Sequence, residues 1–178
     1  MTSKEGATRD DKKRVHLREN IPDAKWLEPE YMSLFMERIS FFITEHIAHE
    51  TDSNKKDFNI GYLVHLLTDR CNPETIRQKL LAKAGERGIV SSDREFYNMC
   101  VNDLEALDEY LLESRPELGK LFSDLLSDKT EYCLEGFIDN ECIRNSMWWW
   151  ENCYLKDIKK RELLYIRTED IEEFITYS

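Results

Sequence analysis

The segment from Gly61 to Asp69, reading Gly-Tyr-Leu-Val-His-Leu-Leu-Thr-Asp, constrains the fold more than any other. Apolar side chains at Ile60, Tyr62, Leu63, Val64, Leu66 and Leu67 leave it apolar nearly all round, the pattern of a helix enclosed by other helices. As a helix it places Gly61, His65 and Asp69 in one row at i, i+4 and i+8. An imidazole and a carboxylate on such a helix need partners, because unpaired buried polar groups are costly. A metal ion satisfies both groups; a polar group on a neighbouring helix is the alternative. Gly61, with no side chain, is expected to let another segment approach this row.

The flanking sequence predicts an all-α fold, a compact multi-helix bundle around a buried central helix at about residues 58–69. Pro29 opens a helix running to about Glu50, with Tyr31, Met32, Phe35, Ile39, Phe42 and Ile43 on its apolar side. Thr51 to Lys56 reads as a polar loop, and Asp57 as the N-cap of the central helix. Asn72-Pro73 starts a short helix that ends near Gly85 or Gly88. Ser92-Asp93-Arg94-Glu95 and Ser114-Arg115-Pro116-Glu117 are capping-box patterns, opening helices to about Glu113 and Ser127. Thr130 to Lys160 is expected to be helical, Leu163 to Ile166 extended, and Thr168 the cap of a last helix. Nothing alternates as strands do, and no Gly/Ser-rich linker interrupts the chain. Residues 1–14, charged and nearly without large apolar side chains, read as a flexible tail before a single domain at 15–178.

Composition excludes several classes of function. The formal net charge is −11, so a nucleic-acid backbone is not expected as a partner. No stretch approaches a membrane span. No apolar leader follows the first residues, so a cytoplasmic protein is expected. Cys71, Cys100, Cys133, Cys142 and Cys153 are odd in number and lack metal-type spacing, which fits reduced, mostly buried thiols. Phosphate-cradling glycine loops and nucleophile elbows are missing from the sequence.

Two further polar intrusions stand out. Asp103 falls within the apolar face of Phe96, Met99, Cys100, Leu104, Leu107 and Leu111. A carboxylate there must be paired or metal-bound; a salt bridge, a helix cap and a metal all satisfy it. His46 and His49 continue the stripe of Phe35, Ile39 and Phe42 at i, i+3 spacing and are additional metal candidates, or histidines at a frayed helix end. Trp148, Trp149 and Trp150 sweep about 200° of a helix and cannot all face one core. One of them is expected at a surface, where it could serve a homo-oligomer contact.

The segment Gly61-Tyr62-Leu63-Val64-His65-Leu66-Leu67-Thr68-Asp69 resembles the metal-binding helix of the bacterial zinc-dependent phospholipase C family, whose compact members resemble the phospholipase C/P1 nuclease fold. His16-Leu17-Arg18 is similar to an early His-Phe-Arg segment of that family. The stretch from Phe96 through Asp103 to Leu111 is similar to a later helix, and Leu164 to Ile175 to the closing segment. The resemblance implies metal ligands at His65, Asp69, His16 and Asp103, one or two Zn2+ ions, and a small-molecule phosphoester as substrate. With His16, His46, His49 and His65 as its only histidines, the chain lacks the ligands of a full trinuclear centre. Two functions are therefore expected: a metal-dependent hydrolase of a phosphoester, or a non-catalytic α-helical protein in which His65 and Asp69 form a structural polar network beside a partner-binding or self-associating surface.

Overall fold

A computed structural model describes residues 8–22, 25–128, 130–154 and 162–177. The described residues are mostly helical and contain no strand; their only β-type pairing is an isolated bridge between Leu134 and Ile138. The fold class is all-α. The chain divides into two compact units, Met1–Arg70 with Thr130–Trp149, and Cys71–Lys129 with Trp150–Ser178. A single domain was the expectation from sequence. Two of the three divisions have no linker signature, because Arg70/Cys71 falls at the end of one helix and Trp149/Trp150 inside the continuation of another.

The first unit holds α1 (Arg9–Val15), α2 (Pro29–Ile43), most of α3 (Ser53–Cys71) and α4 (Asn140–Trp149). Its core joins Leu17, Ile21, Trp26, Phe35, Ile39, Phe42, Ile47, Tyr62, Leu66 and Leu134. Phe35, Ile39 and Phe42 of the α2 stripe thus face inward as their spacing predicts, whereas Ile43, expected on the same side, is exposed. Each large side chain buried there contributes roughly 1.5–3 kcal/mol. Pro29 opens α2 at its first turn, and a π-helical turn at Thr44–Ala48 ends it.

The α3 helix differs from expectation in two ways. It begins at Ser53, capped by Asp52, whose Oδ1 accepts the Lys55 amide at 3.0 Å. Asp57 therefore lies inside the helix. Nor is α3 enclosed: Tyr62 and Leu66 are buried, whereas Ile60 is 39 % and Val64 56 % exposed. Apolar residues on the outer side of the helix made it read as central.

Arg9–Val15, of which residues 9–14 were expected as tail, is a helix with a complete capping box between Thr8 and Asp11. Residues 1–7 lie outside the described residues. Thr130 to Asp139 is not helical. It closes a turn in which Leu134 and Ile138 exchange backbone hydrogen bonds of 2.8 and 2.9 Å. Asp139 then caps α4 through the Cys142 amide at 2.7 Å. The end of the helix expected to reach Lys160 lies outside the described residues.

The second unit holds α5 (Ile76–Glu86), α6 (Arg94–Ser114), α7 (Pro116–Ser127), a π-helical turn at Trp150–Tyr154 and α8 (Thr168–Tyr177). Ile76, Leu80, Ala84, Ile89, Phe96, Met99, Ile166 and Ile171 form its core. Asp93 precedes α6, but its carboxylate accepts the Val90 amide at 3.0 Å rather than capping the helix.

Candidate metal centre

Three of the residues singled out in the sequence meet in the first unit. The α1 helix ends at His16, which takes the C-cap position. Its Nδ1 lies 2.7 Å from the Lys12 carbonyl oxygen one turn back. A carbonyl only accepts, so Nδ1 carries the proton and Nε2 presents a lone pair. This is the outer-shell arrangement that orients metal-ligating imidazoles.

His65 and Asp69 project one turn apart from α3. The His65 Nε2 is 3.3 Å from the His16 Nε2. The Asp69 Oδ2 is 3.4 Å from the His16 Nε2 and 3.7 Å from the His65 Nε2. A tetrahedral zinc ion with bonds of 2.0–2.1 Å separates its ligand atoms by about 3.3–3.4 Å. The observed triangle is close to one face of that tetrahedron. An octahedral ion with bonds near 2.1 Å separates adjacent ligands by only about 3.0 Å. The donor set of two imidazoles and one carboxylate suits a divalent transition metal, and three protein ligands leave a fourth tetrahedral position open.

The electrostatics of the point bear on what it can hold. Burial holds the His65 imidazole below its ordinary pKa; the Asp69 charge opposes this shift and His16 adds to it. His65 is therefore a neutral donor at pH 7. Three acceptor-bearing groups converge on one point, where lone pairs repel unless a cation or a proton lies between them. The side chains of His16, His65 and Asp69 are 24 %, 33 % and 42 % exposed, so the point is reachable from solvent.

Tyr62 braces the arrangement. Its hydroxyl donates to the Val15 carbonyl, beside His16, and its ring centroid lies 6.2 Å from that of His65. Burial raises the pKa of this phenol, which stays a donor. Sequence reasoning passed over Tyr62 as a core residue, although its place three residues before His65 marked it as a helical neighbour. Gly61 does not act as anticipated. A side chain there would meet nothing within 4 Å.

The remaining candidates lie elsewhere. Asp103 is fully buried in the second unit, and its carboxylate is engaged by three backbone amides and by the Asn102 side chain, whose Nδ2 donates to Oδ1 at 3.2 Å. Oδ1 accepts the Leu164 amide at 3.2 Å, and Oδ2 accepts the Tyr165 and Ile166 amides at 2.7 Å each. The carboxylate is thereby paired as its burial requires, with a loop rather than a cation. His46 sits in the π-helical turn, half-buried, with its ring 5.0 Å from Phe42 and 5.8 Å from Phe137. His49 is exposed at the end of that turn. Among the described residues, the one group of His, Cys, Asp or Glu side chains with metal-ligand geometry is His16, His65 and Asp69.

No helix among the described residues is long and apolar enough to cross a membrane. Comparison with protein-family models, curated proteins and solved structures found no match.

Proposed function

We propose that this protein is a metal-dependent hydrolase of a phosphoester, with one zinc ion held by His16, His65 and Asp69. The observation that carries the reading is the triangle of ligand atoms at 3.3, 3.4 and 3.7 Å, oriented by the Lys12 carbonyl behind His16. Zinc in such a set supplies Lewis acidity, lowering the pKa of a water molecule and polarising a phosphoryl oxygen. His16 and His65 contribute neutral donors, so the centre keeps a net positive charge with only Asp69 to offset it. The resemblance of the Gly61–Asp69 helix to the zinc-dependent phospholipase C family supports the reaction class, in a compact form of that fold with a mononuclear site. Asp103 is not in the proposed ligand set, because its oxygens are engaged by backbone amides.

The non-catalytic alternative draws less support. A structural polar network belongs where water is excluded, and these three side chains are a quarter to two-fifths exposed. The test is elemental analysis of the purified full chain, joined to a phosphoester hydrolysis assay with and without added zinc. Stoichiometric zinc and zinc-dependent turnover, both lost in His65→Ala, are expected. Folded wild-type protein that takes up no zinc would overturn the proposal.

A further inference from the structure

The two carbonyls that flank His16 are each held by a side chain from another helix. On one side the Tyr62 hydroxyl of α3 donates to the Val15 carbonyl. On the other, the half-buried Arg38 of α2 donates through Nη1 to the Leu17 carbonyl at 2.8 Å and to the Glu19 carbonyl at 2.8 Å.

The backbone between these anchors has an uncommon conformation. The α1 helix ends in a Schellman turn: the Arg18 amide donates to the Lys13 carbonyl at 2.7 Å and the Leu17 amide to the Arg14 carbonyl at 3.0 Å. The residue after the C-cap of such a turn is left-handed and usually glycine. Here it is Leu17, with φ of +55°. A residue with a Cβ persists in that conformation only when its surroundings hold it. Leu17 is held twice, by burial of its side chain in the core of the first unit and by Arg38 on its carbonyl. The α1 helix itself buries none of its residues. If φ at Leu17 relaxes, the core keeps the leucine, and it is α1 that swings, taking His16 away from α3.

We infer that Arg38 is a positioning residue of the metal centre: by fixing the left-handed turn at Leu17 it keeps the His16 imidazole at ligand distance from His65 and Asp69, and so sets the affinity and geometry of the bound ion. The inference rests on the zinc reading above. His65 and Asp69 share α3 and keep their spacing through it. His16 alone comes from a separate helix, so its ordering is the part of the site that a metal would otherwise have to drive. Ordering it beforehand raises affinity, because a ligand set must be held to within about 0.5 Å of its productive geometry.

The test uses the full chain, titrated with zinc in competition with a chromogenic chelator and, separately, with cobalt(II), whose visible absorption is strong in a tetrahedral site and weak in an octahedral one. All variants are compared at a temperature where circular dichroism shows them folded. Arg38→Met keeps the apolar stem and removes the donors. It is expected to weaken zinc about tenfold and to lower the cobalt absorption. Arg38→Lys, whose ammonium can donate to both carbonyls, is expected to restore most of both. Arg38→Gln, which keeps one amide donor group, carries the same comparison if Arg38→Met does not fold. Lys79→Met, which breaks an ion pair in the second unit, serves as a destabilised control and is expected to bind zinc as wild type does. Zinc affinity and cobalt absorption unchanged when the Arg38 donors are removed overturn this inference alone. So does an equal loss in Lys79→Met, which would assign the effect to general stability. Failure of the wild type to bind zinc overturns the metal centre and this inference with it.

Discussion

The Nε2 atoms of His16 and His65 stand 3.3 Å apart although the residues are 49 positions apart in the chain. The contact joins α1, which buries none of its own residues, to the long α3 helix. A cation between these atoms would therefore act as a staple as well as a reagent. Zinc at a hundredfold excess over its dissociation constant is expected to stabilise the protein by about 2.7 kcal/mol. In a thermal melt this appears as a rise of several degrees. His16→Ala and His65→Ala should each abolish the rise, and an undiminished rise in both variants would place the bound metal elsewhere.

Asp103 is expected to matter for folding and not for metal. Asp103→Asn puts an amide NH2 against backbone N–H groups that now share two carboxylate oxygens. The cost is expected to be about 2–4 kcal/mol, as for losing charge-assisted bonds in a buried position. Denaturant unfolding measures it, and zinc content measured beside it should not change. Lost zinc with unchanged stability would reverse the assignment.

Asp108 lies on the same helix, α6, as Asp103. Burial raises its carboxyl above the ordinary value; the Tyr154 hydroxyl that donates to Oδ2 opposes the shift, and Glu105 adds to it. A raised carboxyl favours the folded state in its protonated form. Its contribution is present below the ordinary value of about 3.9 and is lost as pH rises through the folded value. Asp108→Asn, which cannot ionise, should therefore gain in melting temperature relative to wild type as pH rises from 4 to 7. A difference between the two proteins that stays flat across this range would contradict the account.

The α5 and α8 helices are tied by charge. The Lys79 ammonium lies 2.7 Å from Asp170 and 2.6 Å from Glu173, and Arg167 donates to Asp170 through its backbone and its side chain. Burial pushes the Asp170 carboxyl up, but the bonds from Arg167 and Lys79 prevail and hold it well below the usual range. Its stabilisation is therefore present above the ordinary carboxylate value and lost only as pH falls through the depressed folded value. Lys79→Met is expected to cost about 1–2 kcal/mol at pH 7. The deficit should shrink in strong acid, as followed by urea denaturation at both pH values.

Much of the helical layout was legible because its signals are local. Phe35, Ile39 and Phe42 recur at helical spacing and are buried in the order that spacing implies. Pro29 and Pro116 open helices where the chain can dispense with an amide. The His65–Asp69 row was legible for the same reason, being one turn of one helix. Caps were less so. Asp52 and Asp57 both suit the start of α3, and side-chain chemistry alone does not choose between them. Arg38 gave no signal, since a basic residue on an amphipathic helix looks ordinary until a hydrogen bond joins it to a carbonyl 21 positions away.

Sequence alone settled that this chain is mostly helical, where the helices at Pro29 and Pro116 start, and that α3 carries a histidine and an aspartate on one row. These are consequences of periodicity and capping, which act over three or four residues. Tertiary structure decided which distant groups complete that row and which do not. The resemblance gave His16 and Asp103 equal standing as ligand candidates. Packing in the first unit turned His16 toward α3, whereas the second unit gave Asp103 three backbone amides from residues 164–166. The physical reason is common to both: a polar side chain takes whatever partner the fold brings within about 3 Å, and sequence spacing does not encode that distance.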